Sequence, residues 1–280
     1  MSLPAPAAWT GPRPSWWLIV SMGFTGLTAL ALAAEAAWLA WTGGPASAVP
    51  LAGAAVYLGH VAALGVRLWW PRPRPRRAGS LAAAPDGGTG VRFGYSGWLC
   101  YLVTALLVMT ELVVAAVGLG AALSATVAGA VTAVFITAVV LIIGWFLVTM
   151  LRLAPGQVIL SPAGISHRGL TDTRFVPWPA VAGISADWIG TPVIAVLAVP
   201  SPDIRVRRYL GRLGSARTRL RPFMLIRAIW LTADPATVYH ALLYYAAHPG
   251  LRAELGTPDA LARIGAGQAA AGSPAPSAPE

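Results

Sequence analysis

The chain has 280 residues, of which 56% are hydrophobic and only 11% are charged. A soluble domain carries charge on roughly 25% of its residues, so this composition excludes an ordinary soluble protein and indicates a membrane protein. The net charge is +10 and all 20 basic residues are arginine, which is compatible with contact to anionic lipid headgroups. The single cysteine, Cys100, excludes an internal disulfide and a cysteine-based metal site.

Four apolar runs predict four transmembrane helices after an N-terminal segment, 1–15. Each run reaches the ~20 residues that a helix needs to cross the hydrocarbon core. The last run contains no ionisable side chain, whereas the second carries His60 and Arg67. The predicted spans are 16–41, 49–70, 97–121 and 125–151.

Tryptophans and arginines predict the orientation of these spans. Tryptophans lie near the span ends, as expected at a membrane interface. The connections 42–48 and 120–124 are uncharged, whereas the loop 71–96 and the chain after 151 are basic. By the positive-inside rule, the loop 71–96 and both termini face the cytoplasm, in a multi-pass protein of the inner membrane. Four arginines at the start of the loop are predicted to lie against anionic lipid. Docking of a protein partner is the alternative for them. These residues are Arg72, Arg74, Arg76 and Arg77.

Three ionisable residues lie within the predicted spans: Glu35, His60 and Glu111. Such groups are costly in a bilayer and usually face a helix bundle or a wet cavity. Glu111 and His60 fall at similar depth, so we expect them to be able to meet. Two functions remain open for them: hydrogen bonding between helices, or a site linked to protons, ions or a substrate.

The chain after residue 151 changes to short strand-like runs separated by turn residues. The segment GQVILSPAGISHRG predicts a hairpin with its turn at 161–164. Further strands are predicted in RFVPW, AVAGISADW, TPVIAVLAV, IRVRRYL and FMLIRAIWL. Asp234 and Pro235 then predict the start of an amphipathic helix, with Asp234 as its N-cap. The tail 266–280 is rich in Gly, Ala, Ser and Pro and is predicted to be disordered.

This half of the chain resembles a known family. The segments VILSPAGI, VPWPAVAGI and LTADPATVYHALLYYAAHPGLRAELGT look like the pleckstrin-homology-like (PH-like) domains of small bacterial membrane proteins, especially actinobacterial ones. The resemblance covers about residues 152–260. It implies a cytoplasmic α+β PH-like β-barrel, closed by a helix, over residues 152–265. The family offers no catalytic residues to transfer to this chain.

A dense arginine cluster lies inside the predicted barrel. In eukaryotic pleckstrin-homology domains, basic residues on such a loop can hold inositol phosphates, which by analogy implies a lipid or acidic-partner site here. The other interpretation is of solvated strand faces that dock on the anionic inner leaflet. No nucleic-acid module accompanies the cluster, so nucleic acid is not an expected partner. The residues concerned are Arg205, Arg207, Arg208, Arg212, Arg217, Arg219 and Arg221.

The sequence contains no recognisable catalytic, phosphate-binding or metal motif. We therefore predict a protein without cofactor or metal: a non-enzymatic scaffold or accessory subunit of a cell-envelope complex, which docks on lipid or protein. Its expected partners are anionic membrane lipids and other membrane subunits or copies of itself. The alternative is a small transporter or channel component that uses the intramembrane Glu and His residues.

Overall fold

The computed structural model describes residues 4–9, 16–69, 79–209 and 224–271. The chain divides into two compact units. The helical unit comprises Pro12–Pro71 and Gly97–Leu151, and the sheet unit comprises Met1–Gly11, Arg72–Ser96 and Arg152–Glu280.

Among the described residues, four helices are long and apolar enough to cross a membrane, as predicted, and they indicate a multi-pass membrane protein. They are α1 (Trp16–Thr42), α2 (Pro45–Trp69), α3 (Gly97–Leu123) and α4 (Val127–Leu153). The second begins four residues before the predicted start, and Pro50 lies inside it. Pro50 is the sixth residue of α2 and has no N–H group, so the helix lacks the one hydrogen bond that this position would donate to the carbonyl oxygen of Ala46.

Small and polar residues mediate several contacts between these helices. The Tyr57 hydroxyl of α2 lies 3.3 Å from Oγ1 of Thr110 on α3. Gly118 of α3 faces the side chain of Ile136 on α4, where a β-carbon would lie only 2.7 Å away. The helices therefore approach closely at Gly118, in the way that small residues allow in membranes.

The sheet unit contains nine described strands in two antiparallel sheets. The first sheet has the order β1-β2-β3-β4-β5-β8, and the second has the order β6-β7-β9. The strands are β1 (Ser80–Ala83), β2 (Thr89–Gly94), β3 (Gln157–Leu160), β4 (Gly164–Arg168), β5 (Asp172–Pro177), β6 (Val181–Trp188), β7 (Pro192–Ala198), β8 (Arg205–Arg208) and β9 (Met224–Arg227).

Two strands of the first sheet come from the loop between α2 and α3. β2 pairs antiparallel with β3, and Val91 lies opposite Leu160. Val91 and Phe93 are buried in the same core as the C-terminal strands. Gly90 permits this pairing, because a β-carbon there would lie 2.5 Å from the carbonyl oxygen of Leu160. The folded unit therefore extends beyond residues 152–265 into part of the segment 71–96, which was predicted to be a basic loop.

The described strands form two sheets that do not close into the predicted barrel. Helix α5 (Pro235–Ala247) packs its buried face into the core and begins as predicted, with the Asp234 side chain accepting a hydrogen bond from the backbone of Ala236. It is followed by a 3₁₀ segment and by α6 (Pro258–Ala266).

A partly buried ion pair and the short helix α7 connect the C-terminal helices to the core. Nε of Arg263 donates to Glu254 at 2.7 Å, and the Tyr245 hydroxyl donates to the same carboxylate. The short helix α7 (Gln268–Ala271) lies inside the predicted disordered tail, which is a correction to that prediction. The physical reason is that Ala269 is buried against the core. The rest of the tail lies outside the described residues.

Candidate functional site

The first sheet carries an arginine cleft of about 420 Å³. Strand pairing brings two of its arginines to the cleft. β8 pairs with β5, so that Arg207 lies opposite Thr173 and Arg205 lies opposite Phe175. Arg168 enters the cleft from β4. Four arginines line the cleft, and we call them the cleft arginines: Arg168, Arg174, Arg205 and Arg207.

The four cleft arginines differ in how far their charge is already compensated. Arg174 forms a salt bridge with Asp172 at 2.6 Å. Arg168 donates from Nη2 to the carbonyl oxygen of Arg152 at 2.7 Å, which does not neutralise its charge, and its buried Nε has no hydrogen-bond partner among the described residues. Arg205 and Arg207 are exposed, and neither is in an ion pair within the part of the chain that the structure describes.

Aromatic rings orient the two exposed guanidinium groups. Arg205 lies over the Phe175 ring at 5.9 Å, and Arg207 lies over the Tyr209 ring at 5.1 Å. The face of each ring attracts the guanidinium cation above it and leaves the N–H donors of that guanidinium group available. A guanidinium group with free donors binds phosphate or carboxylate oxygens bidentately.

One acidic residue, Asp86, lies among the described residues that line the cleft. Its carboxylate accepts hydrogen bonds from the Ser161 hydroxyl at 2.8 Å and from the Gly88 backbone at 3.2 Å. The bond from Ser161 ties Asp86 to the turn between β3 and β4, and the bond from Gly88 lies within the turn between β1 and β2. The cleft therefore keeps an excess of positive charge that favours an anionic ligand.

A second polar cluster lies in the core of the sheet unit. His167 of β4 is buried, and its Nε2 lies 2.6 Å from the Tyr95 hydroxyl. Its Nδ1 has no hydrogen-bond partner among the described residues. Burial lowers the pKa of His167 to about 4; nearby Asp172 raises it and Arg174 lowers it further. The imidazole is therefore neutral near pH 7.

The predicted arginine cluster is only partly within the described residues. Arg205, Arg207 and Arg208 all lie on β8, and the first two line the cleft. The remaining predicted docking residues lie outside the described ranges, and they are Arg72, Arg74, Arg76, Arg77, Arg212, Arg217, Arg219 and Arg221.

The three intramembrane residues do not form hydrogen bonds or ion pairs with one another in the described residues. His60 contacts the Val56 carbonyl oxygen at 2.8 Å and the Tyr101 hydroxyl at 3.1 Å. Glu111 faces Gly144 of α4, where a β-carbon would lie 2.9 Å from its Oε1. Glu35 is exposed on α1. His60 therefore links α2 to α3 through Tyr101, and its predicted meeting with Glu111 is not among these contacts.

The sequence did not indicate two of the cleft arginines, Arg168 and Arg174, or the hydrogen bond from Trp9 to β7. Arg168 carries a usable signal, since Ser166 and Arg168 alternate along β4 as two residues of one strand face do. Arg174 forms its salt bridge with Asp172, two residues earlier, but its place beside β8 depends on strand pairing. Trp9 carries no comparable local signal, because its indole donates to the carbonyl oxygen of Val193, 184 residues away.

Comparisons with protein-family models, curated proteins and solved structures find no match to this chain.

Proposed function

We propose that the protein is a non-enzymatic membrane scaffold or accessory subunit whose sheet unit docks on anionic lipid headgroups through the cleft arginines. The observation that carries the proposal is the pair of exposed arginines on β8, Arg205 and Arg207, which have no acidic partner among the described residues. Two guanidinium groups beside a cleft match the charge and the oxygen geometry of a phosphate-containing headgroup.

Chain connectivity supports a role at the membrane surface. Two residues separate the end of β2 from the start of α3, and three separate the end of α4 from the start of β3. A connector of three residues reaches about 10 Å at most. Each juxtamembrane arginine contributes roughly 1 kcal/mol of binding free energy near an anionic leaflet. The cleft arginines therefore contribute most to membrane binding if they face that leaflet.

The PH-like relation and the cytoplasmic location form part of this proposal. Antiparallel strands followed by the amphipathic helix α5 support the relation, although the two sheets stay open. The basic composition of the sheet unit supports a cytoplasmic position by the positive-inside rule.

The test measures hydrogen–deuterium exchange of the full-length protein in lipid nanodiscs. We expect β5 and β8 to exchange more slowly when phosphatidylglycerol is added to a zwitterionic bilayer, and we expect high salt to remove this protection. Arg207→Glu is expected to abolish the lipid effect. Arg227→Glu is the matched control, because Arg227 is an exposed strand arginine on the other sheet.

Identical exchange in both bilayers would overturn docking on lipid. If an acidic protein then co-purifies with the wild type and is lost in Arg207→Glu, that protein replaces lipid as the docking partner. Gentle detergent extraction followed by mass spectrometry tests the accessory-subunit role. A stoichiometric larger complex supports it, whereas a homo-oligomer with bound lipid favours the transporter or channel alternative.

A further inference from the structure

The N-terminal segment, residues 4–9, lies against the C-terminal part of the sheet unit. The indole Nε1 of Trp9 donates to the carbonyl oxygen of Val193 on β7 at 3.1 Å. The Trp9 ring lies 5.8 Å from the Tyr239 ring of α5, centroid to centroid. Trp9 is half-buried and packs on the main core, 184 residues away in sequence from Val193.

A second contact fixes the other end of the segment. Nε2 of His240 lies 3.2 Å from the carbonyl oxygen of Pro4. Because a carbonyl oxygen accepts only, Nε2 carries the proton and donates. Between these two contacts, the Trp9 backbone N–H donates to Pro6 at 2.9 Å and closes one helical turn. The segment therefore makes hydrogen bonds at both of its ends, to β7 and to α5.

These contacts have the pattern of a bound peptide. One large aromatic side chain enters the surface, which is the kind of anchor that dominates peptide binding. Two prolines and an internal turn restrict the free segment, which lowers the entropy lost on binding. Six residues, 10–15, separate this segment from α1.

We propose that residues 4–9 are a detachable peptide ligand of the sheet unit, and that the groove formed by β6, β7 and α5 is a binding site for this proline-flanked tryptophan segment. The groove holds the segment in cis, so the chain preceding α1 is fastened to the sheet unit non-covalently. This site is distinct from the cleft arginines and is independent of lipid docking.

The test inserts a specific protease site within residues 10–15 of the full-length protein, so that the unit folds with the segment in place. The protein is then cleaved in detergent and diluted, and a fluorescent peptide of residues 1–12 is added. We expect saturable binding to the cleaved protein. Uncleaved protein is expected to bind the peptide at least roughly tenfold more weakly, because the tethered segment competes at high effective concentration.

Matched controls come from the chain itself. A Trp9→Ala peptide is expected to lose binding. A peptide of residues 272–280 shares Pro-Ala-Pro with residues 4–6 but lacks the tryptophan, and it is also expected not to bind. On the protein side, His240→Ala is expected to weaken binding, whereas His248→Ala, at the end of the same helix, leaves it unchanged.

Two outcomes would overturn the proposal. In the first, the cleaved segment stays on the protein after extensive dilution and does not exchange with labelled peptide, which makes it an integral part of the fold. In the second, wild-type and Trp9→Ala peptides bind equally well, which places the interaction outside this groove.

Discussion

His167 is a residue whose environment differs sharply from that expected for a histidine on a short exposed hairpin. Its imidazole is buried beside Tyr95, which comes from the loop between α2 and α3. A pKa of about 4, against an ordinary value of 6.5, means that protonation places an unfavourable charge in the core. His167 therefore links the stability of the sheet unit to pH.

We expect the unfolding free energy to fall as the pH drops from about 6.5 towards 4, because the unfolded chain binds the proton first. The two pKa values differ by roughly 2.5, and each unit corresponds to about 1.4 kcal/mol, so the full loss is on the order of 3–4 kcal/mol. The measurement is the melting temperature of the detergent-solubilised protein against pH. His167→Gln is expected to flatten this dependence, and equal slopes for the two proteins would contradict the assignment.

The hairpin of β1 and β2 is the element that extends the folded domain most clearly beyond the predicted residues 152–265. Its burial alternates along β2: Val91 and Phe93 face the core, while Arg92 faces outward. Phe93 is 1% exposed and lies opposite Val158 of β3. A connecting loop with such a buried strand is an integral part of the sheet.

Phe93→Ala is expected to destabilise the sheet unit by about 3–5 kcal/mol, the usual cost of removing a buried phenylalanine. Arg92→Ala on the same strand is the matched control, and its effect is expected to stay within about 0.5 kcal/mol. The measurement is thermal or denaturant unfolding in detergent. If the two variants are equally stable, the strand does not contribute to the core.

The whole molecule interleaves its two units along the chain. The sheet unit is assembled from segments before α1, between α2 and α3, and after α4. Pieces of one folded unit lie on the same side of a membrane. We therefore expect each helix pair to return the chain to the side from which it started, as four spans would do.

We expect cysteines in the sheet unit to label from one side of the membrane and a cysteine in the α3–α4 turn to label from the other. In a Cys100→Ala background, suitable exposed positions are Thr89→Cys, Asp203→Cys and Ser124→Cys. The measurement uses an impermeant maleimide on intact cells and on inverted vesicles. Labelling of Thr89→Cys and Ser124→Cys from the same side would overturn the four-span topology.

Local pattern in the sequence was sufficient for the parts of this protein that depend on nearby residues. The four helices follow from long apolar runs, and the start of α5 follows from the Asp234–Pro235 capping signal. The turn at 161–164 formed as predicted, because the Ser161 and Gly164 backbones hydrogen-bond to each other. In each case the determining interaction lies within a few residues or in the bilayer itself.

Only the tertiary structure decided which distant segments share a core. The sequence of β2 contains glycines and an arginine, and its strand pairing depends on β3, more than sixty residues later. Trp9 and the cleft arginines likewise acquire their surroundings from partners remote in sequence. Such pairings depend on the balance of burial and chain entropy over the whole fold, which short sequence windows do not contain.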